Sequence, residues 1–301
     1  MIDLHCLAAP ARPDTWPETW PDTWQDTWQD RLADLAVAAL IDEAELTPKP
    51  GLVDARGPGA HADIDLDTLR ASAHALRPTF AAIARASAGR RPSQALREEL
   101  AVIGRAGEEA MLRATGGSNT HRGAIWALGL LTSAIAIGGA IATPEQICCT
   151  AGAVARYADR YVPPSANNGL IACRRYGVQG ARGEAEAGFP HVLTALAALR
   201  AGRRVGATKA TARIDALITV MATLDDTCVL HRGGRLALRV TRLGARAVLA
   251  AGGTGTDSGR KALLALDRRL LALNASPGGA ADMLAAALFL DAALGHDARE
   301  A

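Results

Sequence analysis

Gly123-Ala-Ile-Trp-Ala-Leu-Gly-Leu-Leu-Thr-Ser-Ala-Ile-Ala-Ile-Gly-Gly-Ala-Ile-Ala142 runs for twenty residues without a charge. That is long enough to cross a bilayer as a helix. Yet much of it is Gly, Ala, Ser and Thr, and it stands alone. No belt of Trp or Tyr flanks it, and no basic cluster lies beyond Arg122. A helix apolar on every face is also what the centre of a large helical domain needs, and this is the preferred reading. Outward from it, the texture stays helical. Ala and Leu runs such as Ala81-Ala82-Ile83-Ala84 and Ala285-Ala286-Ala287 dominate, and aromatic residues make up only 4% of the chain, so an all-β protein is excluded. The formal charge of +2 shows no chain-wide basic bias for nucleic acid. The 301 residues suffice for a large core.

Helical spacing of Leu32, Leu35, Ala36, Ala39, Leu40 and Glu43 predicts a first helix from Arg31 to about Leu46, stopped by Thr47-Pro48-Lys49-Pro50-Gly51. Further helices are predicted near 67–90 (kinked at Pro78), 94–114, 120–142, 144–160, 185–202, 208–224, 236–251, 257–274 and 279–294. An irregular stretch spans Val162 to Gly183. The expectation is an all-α, single multi-helix domain over 31–301, with polar Gly/Pro-rich loops forming the site. Residues 1–30 read as a low-complexity tail, disordered and without a role in chemistry. Four of the five tryptophans sit there in a tetrapeptide repeat, Asp14-Thr-Trp-Pro to Asp26-Thr-Trp-Gln, whose prolines forbid a continuous helix over its first half. A tail that docks a partner is the alternative. No signal peptide is read, and Cys6, Cys148, Cys149, Cys173 and Cys228 are expected as reduced thiols of a cytoplasmic protein.

Five polar islands interrupt the alanine background. In the first, Glu43 continues an apolar helix face and so needs a partner or a metal, while Lys49, locked between prolines, suits a phosphate. A helix stop with a solvated lysine is the alternative. In the second, Glu108 precedes Thr115-Gly-Gly-Ser-Asn119-Thr-His121-Arg122-Gly123, where a capped helix start offers amides to an anion, or is simply a cap. In the third, Gly180-Ala-Arg182-Gly-Glu184-Ala-Glu186, both glutamates lie near a helix start, where a dipole role alone would account for them. In the fourth, Asp225-Asp226 precede His231-Arg232-Gly233-Gly234. Adjacent aspartates at a helix end hint at Mg²⁺. The fifth, Asn274-Ala-Ser276-Pro277-Gly278-Gly279 with Asp282, is a phosphate-type helix start or a connector. No zinc, P-loop, Rossmann or serine-elbow pattern is present. The residues alone point to an all-α enzyme handling a Mg²⁺-bound phosphate ester.

These islands, in this order, resemble the triphosphoribosyl-dephospho-coenzyme A synthase family. The matching stretches are Leu46-Thr-Pro-Lys-Pro-Gly-Leu-Val-Asp54, Gly59-Ala-His61, Asn119-Thr-His-Arg-Gly123, Gly180-Ala-Arg-Gly-Glu-Ala-Glu186 with Gly188-Phe189, Asp226-Thr227 with Arg232-Gly-Gly234, and Ser276-Pro-Gly-Gly279 with Asp282. They span about 31 to 294. Arg122 stands where the family usually has lysine, and Cys228 where it usually has asparagine.

The resemblance implies an all-α transferase that joins the triphosphoribosyl group of ATP to the 2′-hydroxyl of 3′-dephospho-CoA and releases adenine. The product would pass to an enzyme that matures the acyl-carrier subunit of malonate decarboxylase or citrate lyase. Oxocarbenium character at the ribose C1 calls for a base, a donor for the departing adenine and a nearby carboxylate. Glu184, Glu186 and Asp226 are the catalytic candidates on this reading. Lys49, His61, Asn119, Thr120, His121, Arg122, Gly123, Arg182, Arg232, Gly233, Gly234, Ser276, Gly278 and Gly279 are candidates for holding nucleotide phosphates. Asp225 and Asp226, with Glu43 or Glu108, are the Mg²⁺ candidates. Neither nucleic acid nor a membrane is expected as a partner, and alanine-rich helix faces would allow a homodimer. A Mg²⁺-dependent all-α ADP-ribosyl or nucleoside hydrolase, and a non-enzymatic helical scaffold, are the competing readings.

Overall fold

Alanine and leucine lose little on entering a helix, and runs of them with few β-branched residues leave the backbone one cheap option. A computed structural model of the chain describes residues 22–138, 142–162 and 167–295. Among these, every regular element is a helix: α1 (Asp22–Glu45), α2 (Leu66–Ala75), α3 (Arg77–Ser87), α4 (Gln94–Ala114), α5 (Arg122–Gly138), α6 (Pro144–Ala155), α7 (Asn168–Tyr176), α8 (Gly180–Glu186), α9 (Pro190–Arg204), α10 (Lys209–Met221), α11 (Thr227–Ala250), α12 (Asp257–Ala272) and α13 (Gly278–Ala293). They pack around one extended core.

Two helices form its centre. α5 is the charge-free stretch, buried from Ala124 through Ala136 apart from Trp126, and α13 is buried on nearly all sides from Ala280 to Asp291. They pack on each other. α1, α3, α4 and α6 surround α5, while α1, α9, α10 and α11 surround α13, with α12 outside α11. The core reading of α5 therefore holds, and no helix of the described residues is long and apolar enough to cross a membrane. Small residues let the helices approach closely. A Cβ at Gly107 would strike Thr79 across the α3–α4 contact, and one at Gly244 would strike Leu266 across α11–α12.

Several boundaries differ from the expected ones. α1 begins at Asp22, directly after Pro21, not at Arg31, and Trp28 packs against the core. The first half of the tryptophan repeat lies outside the described residues. The expected kinked helix over 67–90 is two helices, because Pro78 sits at the start of α3, where its missing N–H costs nothing. The stretch read as irregular holds α7, capped by Asn167 and ended by Gly177 at φ 71°, and the start of α8. Of the cysteines, Cys148, Cys173 and Cys228 are free, but Cys149 is held in a disulfide, so the expectation of reduced thiols fails there.

Candidate active site

The α1–α2 connection carries Lys49 into the interior. A small satellite core of Ala44, Val53, Ile64 and Leu69 lies beneath it. Lys49 is 1% exposed. Its Nζ donates to the Glu43 main-chain O and to Glu43 Oε1, both at 2.7 Å. Glu43 thus has the partner that its inward position demanded, and the partner is the lysine. The loop is braced from outside. Asp54 accepts from the Lys49 amide at 2.7 Å and from the Arg56 guanidinium, which also pairs with Asp267 at 2.7 Å. Gly51, at φ 71°, donates its amide to Asp267, and a Cβ there would lie 2.5 Å from the Ala275 carbonyl. The Pro-Gly-Leu-Val-Asp run is therefore a clamp between this loop and the segment before α13.

Three helix N-termini meet beside Lys49. Asp226 caps α11, with Oδ1 accepting from the amides of Cys228 at 2.8 Å and Val229 at 3.1 Å. Its Oδ2 accepts from the Ala280 amide at 2.9 Å, in the first turn of α13. Gly279 is small because a Cβ there would press on this carboxylate at 3.0 Å. Asp282, one turn into α13, lies against the start of α5. A Cβ at Gly123 would strike its Oδ2, and the Ala124 amide donates to it. Burial raises the pKa of Asp282 well above the usual carboxylate range, and the nearby Glu43 and Asp226 carboxylates add to the effect. Burial also raises Asp226, against the pull of its backbone donors. Apart from the Ala124 amide, Asp282 has no hydrogen-bond or ion-pair partner among the described residues, so it is the least engaged carboxylate of this group.

Two histidines flank the group. His61 Nε2 meets Ser276 Oγ at 2.9 Å, and its Nδ1 faces the Arg232 guanidinium at 3.3 Å. Arg232 is fixed by donation to the Asn274 main-chain O at 2.9 Å and to the Ala60 carbonyl. Burial and the Arg232 charge lower the His61 pKa. His121 is buried, with Nδ1 2.7 Å from Ser72 Oγ, which also accepts from Thr120 Oγ1 at 2.6 Å. Burial, with the Lys49 charge, pushes its pKa down to about 4, so the ring is neutral at neutral pH.

The remaining predicted residues have structural partners of their own. Asn119 Oδ1 accepts from the Arg122 amide at 3.3 Å, as a helix start requires. Arg122 pairs with Glu108, and its Nε is buried without a partner. Glu184 is buried on α8 and engages His191 through both oxygens, at 2.8 Å to the amide and 2.7 Å to Nδ1. Glu186 is paired with Arg182 at 2.6 Å. Asp225 turns away from its neighbour and pairs with Arg242 at 2.9 Å. The four carboxylates expected around Mg²⁺ thus face different partners, and among the described residues no group of three or more acidic, His or Cys side chains is placed to hold a metal ion. Gly233 packs against Ala237 and the Leu273 carbonyl, Gly234 bends α11, and Gly278 touches Cys228. Ser72 and His191 escaped the sequence reading, since nothing local marks them. Asp282 was visible there, but only as part of a motif.

The model of the CitG family, described as ATP:dephospho-CoA triphosphoribosyl transferase, matches residues 29–300. A protein of Pseudomonas syringae pv. syringae named a probable 2-(5''-triphosphoribosyl)-3'-dephosphocoenzyme-A synthase is 55% identical over 276 residues, covering 90% of this chain and 95% of its own. The 2-(5''-triphosphoribosyl)-3'-dephosphocoenzyme-A synthase of Klebsiella pneumoniae is 53% identical over 265 residues, covering 88% of this chain and 95% of its own. No solved structure matches the chain. These matches make the chain a transferase. It belongs to the ATP:dephospho-CoA triphosphoribosyl transferase family, the triphosphoribosyl-dephospho-CoA synthases, as the ordered motifs implied.

Proposed function

We propose that the chain transfers the triphosphoribosyl group of ATP to the 2′-hydroxyl of 3′-dephospho-CoA with release of adenine, at the meeting point of α5, α11 and α13. The observation that carries this reading is the pairing of opposite needs in one place. Lys49, Arg232 and the positive ends of three helix dipoles give the place a field that favours a polyphosphate, although the Lys49 ammonium is held by Glu43 and the first amides of α11 and α13 by Asp226, while Asp282 offers a carboxylate beside them. In the reaction the C1–N9 bond of ATP breaks, and adenine leaves as the neutral base with a proton taken from water, which is made good when Asp282 returns its proton to solvent. The acceptor oxygen bonds to C1, and its proton passes to Asp282. A carboxylate with a raised pKa is suited to that transfer near neutral pH. Until it takes that proton, the carboxylate charge also faces the positive sugar. This moves the proton-handling role from Glu184 and Glu186 to Asp282.

Magnesium fits as the triphosphate's counter-ion. It keeps several waters and needs only one or two protein carboxylates, and with Glu43 held by Lys49 and Asp226 by helix amides, the phosphate oxygens and water would supply most of its ligands. The product would serve the acyl-carrier subunit of malonate decarboxylase.

The test is incubation with ATP, Mg²⁺ and dephospho-CoA, following adenine and the coupled product by mass. Adenine together with the triphosphoribosyl adduct is expected, and Asp282→Asn should lose at least a hundredfold in turnover while keeping its helical circular dichroism. Adenine without adduct would indicate hydrolysis. ADP or AMP as main product would exclude attack at C1.

A further inference from the structure

A second basic site lies on the other side of Asp225. The second half of α11, Arg235 to Ala250, holds four arginines and no acidic residue. Arg235, Arg239, Arg242 and Arg246 recur at spacings of four, three and four, so they share one helix face over about 16 Å. With Tyr176 of α7 and Asp225 they line a cleft of about 380 Å³. That volume lies within the range of small-molecule sites.

Part of this charge has a structural explanation. Arg242 donates to the Leu224 carbonyl at 3.3 Å, and Arg246 to the Ala222 carbonyl at 3.2 Å, so both serve the C-terminal end of α10. Arg242 also pairs with Asp225. The other two are not so explained. Arg235 makes one long contact to the Tyr176 carbonyl at 3.4 Å and lies over the Tyr176 ring at 5.9 Å. Arg239 is exposed and has no hydrogen bond or ion pair among the described residues. Four guanidinium groups thus face one carboxylate. Like charges at this spacing repel and weaken a helix, and an anion in the cleft would reverse the sign of that effect.

We propose that this cleft is a second anion site, which takes the diphosphate or triphosphate group of a phosphate ester. Guanidinium groups bind phosphate oxygens in a bidentate fork, and Arg235 with Arg239, one turn apart, matches two linked phosphates better than a single one. The site does not depend on the reaction proposed above, and its ligand could be either substrate or free diphosphate.

Isothermal titration of inorganic diphosphate, ATP and dephospho-CoA into the full chain decides the matter. At least one ligand should bind at least tenfold more weakly to the double variant Arg235→Gln/Arg239→Gln, with circular dichroism unchanged. The same ligand should lose less in Arg232→Gln, which alters the Lys49 site. A larger loss with dephospho-CoA or with ATP identifies that ester, and an equal loss with all three identifies the diphosphate group itself. Unchanged affinity of all three in the double variant, or no binding to the wild-type chain, overturns the proposal. The adduct assay is read separately, so either proposal can fail alone.

Discussion

His121 shows how a single residue carries a pH signature. Its ring is enclosed, faces the Lys49 charge and meets Ser72, so its pKa falls from 6.5 to about 4. The folded chain therefore binds the His121 proton more weakly than the unfolded chain does. The stability this contributes is complete above pH 6.5 and is lost as the pH falls toward 4, amounting to about 3 kcal/mol across that window. Asp226 and Asp282, both raised, act in the opposite sense and are common to wild type and variant. Urea unfolding at pH 7, 6, 5 and 4 should show a steeper acid loss in wild type than in His121→Gln, and parallel curves would refute the assignment. Lys49 and His121 were legible in the sequence, because prolines on one side and a Gly-rich start on the other single them out. Asp282 was less so. Its significance lies in Gly123, 159 positions away in the chain, whose missing Cβ makes room for the carboxylate. Asp225 and Asp226 looked like a pair, but a capping residue is extended, so neighbours at a cap point apart.

Most helices were legible as elements, because long alanine-leucine runs end at Pro, Gly or a polar cap. The short ones were not. α7 spans nine residues and α8 seven, too few turns for a periodic pattern to emerge from a polar stretch. α11 was missed over its first turns for a different reason. Gly234 adopts φ 66° and ψ −163°, a backbone region open to glycine alone, and bends the helix there. The bend lets Arg232 face His61 while Arg235, just beyond it, faces Tyr176. Gly234→Ala should cost about 1–3 kcal/mol, since the alanine is strained and its Cβ would lie 3.3 Å from the Tyr176 hydroxyl. Thermal unfolding measures the cost. An unchanged midpoint would mean that α11 straightens freely and that the bend does not position Arg232.

At the scale of the whole molecule, the open question is where the folded unit begins. Composition placed the boundary at Arg31, where the tryptophan repeat ends. Repeats alone predict no core, but Trp28 of the last repeat unit is also in helical register with Leu32 and Leu35, and α1 continues through it. Trp28 packs on the core, Gln29 is 6% exposed, and Asp30 pairs with Arg77 at 3.4 Å and Arg85 at 3.7 Å. These contacts tie α1 to α3 at the end far from Glu43, so they affect the helix that holds Lys49 in place. Two truncated chains isolate the effect, one beginning at Asp22 and the other at Arg31, since they differ only in this segment. Removing a half-buried tryptophan should cost about 2 kcal/mol, and the exposed ion pairs should add little. For a chain of this size that lowers the melting midpoint by about 3 °C. Equal midpoints would support a boundary at Arg31 and leave the tryptophan packing without energetic weight.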